Sequence, residues 1–151
     1  MDDSPIGHGT CIASKAAGGN LGAASNADMI VLKAKPSPAD NIWAFEQAHD
    51  DILNRGLQGK AVVLFTRGAT FSGAGVEAED PWPTLNAKFP LLFADDIVIV
   101  TSSGNAGELP GHEDVDRPPK SWAASDYPLI VVGATDTQGK VAIKPGKNRT
   151  L

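Results

Sequence analysis

Three short apolar runs, set apart by helical patterns and turn residues, constrain this chain most. They are Asp28-Met29-Ile30-Val31-Leu32-Lys33-Ala34, Ala61-Val62-Val63-Leu64-Phe65-Thr66 and Ile97-Val98-Ile99-Val100-Thr101. Each is short, apolar and bounded by turn residues, the pattern of a buried strand. Between the first two, Ile42, Phe45, Ala48, Ile52 and Leu53 recur at helical spacing, with Glu46, Gln47, Asp50 and Asp51 opposite. That predicts a surface helix over Ile42–Arg55, with Gly56 as the residue that ends it. Between the second and third, Pro81-Trp82-Pro83 opens a helical segment to about Phe93, which Pro90 must kink or break. Strand, helix, strand in this order predicts right-handed crossovers and parallel pairing. The expected fold is α/β, a mostly parallel sheet with helices on both faces.

Pro5-Ile6-Gly7-His8-Gly9-Thr10-Cys11-Ile12-Ala13-Ser14 carries the first chemical signal. Glycines on both sides of His8 let backbone or substrate approach the ring. A helix from Gly9 to about Ala17 fixes the direction of the imidazole, which accepts and returns protons near neutrality. Ala13, Ser14, Ala16 and Ala17 suit burial against neighbours, and Cys11 reads as a small buried side chain. Gly18-Gly19-Asn20 stops the helix. Gly18-Gly19-Asn20-Leu21-Gly22 is not a dinucleotide loop, because such a loop follows a strand and opens a helix.

Composition bounds the rest. The 151 residues suffice for one core, and 42% hydrophobic with 21% charged residues is ordinary for a globular chain. A net charge of -5 without a basic stripe argues against nucleic acid as partner. No apolar run reaches the roughly 18 residues of a membrane span, and the acidic opening Met1-Asp2-Asp3-Ser4 does not read as a signal peptide. One cysteine excludes an internal disulfide. The acidic Glu77-Ala78-Glu79-Asp80 lacks the ligand pattern of a calcium loop, so no metal or other cofactor is expected. His49 falls mid-helix and reads as an exposed or half-buried polar residue.

Gly-His-Gly-Thr-Cys-Ile-Ala-Ser resembles the histidine motif of the subtilisin-like serine peptidases, or subtilases. Asn26-Ala27 is similar to a pair that precedes the next strand in that family. Ser102-Ser103-Gly104-Asn105-Ala106-Gly107, at the end of the third run, resembles the family's Gly-Asn-x-Gly. Tyr127-Pro128-Leu129-Ile130-Val131-Val132-Gly133-Ala134-Thr135-Asp136 resembles its Tyr-Pro and Val-Gly-Ala strand. The resemblance covers Gly7 to about Ala142. It implies a serine endopeptidase acting on peptides or proteins, with His8 as general base and the Asn105 amide helping to hold the oxyanion. It also implies that the strand end Thr66-Arg67-Gly68 pairs with substrate backbone. Arg67 stands where the family has an apolar residue, and as a strand-end charge it is expected to be solvated. His112 matches no family role.

Two parts of the triad are not matched. The family's aspartate lies on a strand well before the histidine, so neither Asp2 nor Asp3 takes that role. The nucleophile's Gly-Thr-Ser-x-Ala is not in these residues, and Ser102, Ser103 and Ser125 lack its context. Residues 1–143 therefore read as a partial subtilase domain, with 144–151 an irregular C-terminal tail. Alone, such a chain is expected to be inactive. The alternatives are a non-catalytic peptide-binding pseudoenzyme, a truncated gene product, a cysteine hydrolase using Cys11 with His8, or an unrelated nucleotide-binding domain without a phosphate loop. The resemblance implies an extracellular location. An incomplete domain should also expose Val62, Leu64, Val98 and Val100 and self-associate through an open sheet edge.

Overall fold

The computed structural model describes residues 7–35, 37–67, 71–72, 75–76, 82–104, 119, 122–123, 127–135 and 137–140. Gly68, the acidic stretch 77–80, Asn105, His112, Ser125 and the 144–151 tail lie outside them. The chain divides into two compact units, Met1–Lys33 and Ala34–Leu151.

The first unit is built on helix α1 (His8–Ala17). Gly7 precedes it in the left-handed region, at φ 62°, a conformation open to glycine without steric cost. The Cys11 N–H donates to the Gly7 carbonyl at 2.9 Å. After the helix the chain folds back on its C-terminal carbonyls. Gly18 N–H reaches Ser14 O at 3.0 Å, Ala23 N–H reaches Lys15 O at 2.9 Å and Ala24 N–H reaches Ala16 O at 2.9 Å. A Cβ on Gly18 would sit 2.5 Å from the Ser14 oxygen, and one on Gly22 only 2.3 Å from the Gly18 nitrogen. These glycines serve backbone packing, and their amides face a helix end rather than a phosphate.

Two expectations fail in this unit. No α1 residue is buried, and Cys11 is exposed. Small side chains offer little apolar area, and backbone hydrogen bonds close this turn instead. Residues 28–34 form no strand, and Met29, Ile30, Val31 and Leu32 are exposed. A strand exists only through a partner's backbone, and no ladder among the described residues includes this run.

In the second unit, helix α2 (Pro38–Asn54) starts earlier than its apolar periodicity suggests. Ser37 is the cap: its hydroxyl accepts from the Asp40 N–H at 3.1 Å and also bonds the Asp40 carboxylate. Proline follows in the first turn, where its missing N–H costs nothing. The helix ends as expected at Gly56, φ 63°. Gly56 N–H donates to Leu53 O and Leu57 N–H to Ile52 O, the paired bonds of a Schellman motif.

The segment after Trp82 is two helices, α3 (Trp82–Asn86) and α4 (Phe89–Ala94). The break falls at Ala87 and Lys88 rather than at Pro90, which sits in the first turn of α4, where proline is tolerated. A second Schellman motif closes α4: Asp96 N–H donates to Phe93 O and Ile97 N–H to Leu92 O. Here the left-handed residue is Asp96, φ 54°, in the place glycine held before.

Strands β1 (Val62–Phe65), β4 (Val98–Ser102) and β5 (Ile130–Val132) form a three-stranded sheet in the order β1-β4-β5. Both pairings are parallel, with Phe65 beside Thr101 and Thr101 beside Val131. The expected α/β class is confirmed. A short antiparallel pair, β2 (Phe71–Ser72) and β3 (Gly75–Val76), was not expected from the sequence. Two-residue strands carry no periodicity to read.

The core lies between this sheet and helices α2, α3 and α4. Phe45, Ile52, Leu85, Phe89, Leu92, Ile97, Ile99 and Leu129 are buried, with Val63, Phe65 and Val131 packed against them. Phe89 is the hub. Its ring centroid lies 5.2 Å from Phe45, 5.2 Å from Trp122 and 6.0 Å from Tyr127. Two side-chain contacts clip α2 to the flanks of α4: an ion pair from Glu46 to Lys88 at 2.6 Å, and a hydrogen bond between His49 and Asp95 at 2.7 Å.

Candidate functional site

Parallel pairing puts the C-terminal ends of β1, β4 and β5 at one edge of the sheet. This is the edge at which open α/β sheets bind ligands. Thr66 and Arg67 follow β1 there. Ser103 and Gly104 follow β4, and Gly133 follows β5. The Ser103 N–H donates to Val132 O at 2.9 Å, which carries the ladder one step beyond β4. Gly104 then turns at φ 89°. A side chain rarely adopts that angle, so this glycine is required where the chain leaves the sheet. Asn105, the next residue in sequence, lies outside the described residues, as does Gly68.

Arg67 departs from expectation. Its guanidinium is not a solvated charge. Nη2 donates to the Ala34 carbonyl at 2.5 Å, and Nη1 donates to the Lys35 carbonyl at 2.5 Å and to Asn41 Oδ1 at 3.4 Å. A planar fork with five N–H donors can serve several acceptors at once. Sequence reading missed this, because partners 26 to 33 residues away leave no local signal.

His8 is the first residue of α1 in the other unit, and it is exposed. Helix geometry directs its backbone, as the sequence suggests. No hydrogen bond or ion pair of its ring occurs among the described residues.

Among the described residues, His49 is the histidine that pairs with a carboxylate. It is half-buried, as expected, and Asp95 is its partner. Asp95 precedes β4 by three residues, so this pair stands at the amino edge of the sheet, opposite the ends of the strands. It fastens two helices. Among the described residues no group of three or more His, Cys, Asp or Glu could hold a metal ion, and no helix is long and apolar enough to cross a membrane.

No family model matches the chain. Over 140 residues, 89% of its length, it is 33% identical to Subtilisin-like protease 3 of Pseudogymnoascus destructans. The chain belongs to the subtilisin-like protease family. This subtilase segment covers 30% of that relative's length. A solved structure of the prenylagaramide maturation protease PagA is also similar, with a TM-score of 0.48 and 24% identity. That match covers 78% of the subtilase chain described here and 35% of PagA.

Proposed function

We propose that this chain is part of a subtilisin-like serine endopeptidase domain. In this reading His8 is the general base, Asn105 donates to the oxyanion, and the backbone of Thr66-Arg67-Gly68 pairs with a peptide substrate. The observation that carries it is the 33% identity to a subtilisin-like protease across 89% of the chain. The turn at Gly104, directly after β4 at the carboxyl edge, adds support.

The reaction is acyl transfer. A serine hydroxyl gives its proton to the base as its oxygen attacks the scissile carbonyl. The carbonyl oxygen gains negative charge, which a fixed neutral amide donor stabilises. The imidazolium then returns the proton to the leaving amine. These 151 residues carry the base and one oxyanion donor without the family's nucleophile motif. No acyl-enzyme forms without that serine. In this reading the chain by itself is inactive and retains peptide binding along the β1 end, the behaviour of a non-catalytic pseudoenzyme.

Incubation of the purified chain with casein and a chromogenic peptide tests this. The expected result is no turnover, with saturable binding of a fluorescein-labelled peptide in anisotropy titrations. Turnover blocked by a serine-directed phosphonate overturns the inactivity. Turnover abolished by Cys11→Ala assigns the chemistry to the thiol instead. No peptide binding rejects the role of Thr66-Arg67-Gly68.

A further inference from the structure

We propose that Arg67 is a positioning residue, a clamp that holds residues 34–35 and the start of α2 against the end of β1. This rests on the reading of Thr66-Arg67-Gly68 as a peptide-pairing strand end, and it changes the part Arg67 plays there. The residue serves substrate through its backbone, while its side chain is committed to acceptors of this chain.

The geometry carries the argument. Two carbonyls of adjacent residues, Ala34 and Lys35, each take one guanidinium nitrogen at 2.5 Å, and Asn41 Oδ1 lies 3.4 Å from Nη1. Asn41 stands in the first turn of α2, and its own N–H donates to Ser37 O at 3.1 Å. One side chain thus joins three segments: the end of β1, the backbone of residues 34–35 and, through the Asn41 side chain, the capped start of α2. All three acceptors are neutral. A cation near a helix N-terminus gains nothing from the helix dipole, so the hydrogen bonds are the reason for an arginine here. An apolar residue in its place would leave both carbonyls without these donors. Lysine offers one nitrogen, which cannot reproduce a two-nitrogen fork.

A substrate strand pairs through backbone N–H and C=O groups whose spacing must already be set. Residues beyond Phe65 have no ladder of their own in the described sheet. The clamp supplies the constraint that a ladder would give. The guanidinium is also turned to these carbonyls rather than offered to a substrate side chain, so no preference for acidic peptides follows from its charge.

The test uses the whole chain with Arg67→Leu and Arg67→Lys. Hydrogen exchange is followed at the amides of 37–43 and of β4, and affinity is measured for neutral and Asp-rich labelled peptides. With Arg67→Leu, exchange at 37–43 should rise about 10-fold or more while β4 is unchanged, and peptide affinity should fall about 10-fold, since the loss of charge-assisted hydrogen bonds is worth at least that factor. Arg67→Lys should recover part of both. Unchanged exchange at 37–43 in Arg67→Leu overturns the clamp. Faster exchange with unaltered peptide affinity overturns the positioning role and leaves a purely structural one. Selective loss of Asp-rich peptides shows direct contact with substrate and also overturns the proposal. If the unsubstituted chain binds no peptide, the substrate-strand reading fails and the positioning role with it, while exchange at 37–43 still decides the clamp.

Discussion

The two faces of the parallel sheet are made from the same kinds of residue and have opposite surroundings. Val63, Phe65, Ile99, Thr101 and Val131 face helices α2 to α4, where Ile99 and Thr101 are 0% and 1% exposed. Val62, Leu64, Val98, Val100, Ile130 and Val132 alternate with them on the other face. Val62 is 63% exposed and Val132 51%, while Val100 is intermediate. The expected exposure of Val62, Leu64 and Val98 is observed, and Ile130 and Val132 extend it across a third strand. Parallel sheets ordinarily have both faces covered. The difference teaches that β-branched, apolar strands do not create a core. The core lies where an aromatic hub, an ion pair and a His–carboxylate hydrogen bond bring a helix layer down on one side.

Substitutions on the two faces test this contrast, and the largest effect belongs to the hub. Phe89→Ala should cost about 3–5 kcal/mol, the range for a large buried aromatic. Urea unfolding read by fluorescence of Trp122, which touches Phe89, measures it. A cost under about 1 kcal/mol would show that the helix-covered face is no better anchored than the exposed one.

Thr101→Val should act in the opposite direction. The Thr101 hydroxyl is buried and has no hydrogen-bond partner among the described residues. Such a group costs about 1–3 kcal/mol, so its removal in a similar shape should stabilise by about 1 kcal/mol. A loss of stability in the same titration would show that the hydroxyl has a ligand or water partner in solution.

Asp96→Gly sharpens the account of how α4 ends. Gly56 and Asp96 hold the same left-handed position in two Schellman motifs. A non-glycine residue there costs about 1–2 kcal/mol, less for aspartate. After the extra chain entropy of glycine, we expect a gain of about 0.5 kcal/mol, seen as a higher urea midpoint with an unchanged slope.

The smallest effect should come from the exposed face. Leu64→Thr is expected to alter stability by less than about 0.5 kcal/mol, as for other exposed positions, while lowering the binding of an apolar dye. A cost near that of Phe89→Ala would show that this face is covered in solution. A second copy of the chain would then be a candidate, and sedimentation velocity would detect it.

The strand–helix–strand order, the parallel pairing and the cap at Gly56 were legible in the sequence. Each depends on local rules: apolar runs, helical periodicity, and glycine where φ is positive. The catalytic roles of His8 and Asn105 are what the resemblance to the subtilase motifs implies, and they stand as proposals. Tertiary structure decided what local rules cannot reach. Whether Met29–Leu32 forms a strand depends on a partner's backbone, and the run forms none and stays exposed. Whether Arg67 is a free charge depends on carbonyls more than thirty residues away in sequence. Whether Leu64 or Phe65 is a core residue depends on which side the helices take, since alternate side chains of a strand point to opposite faces by geometry alone.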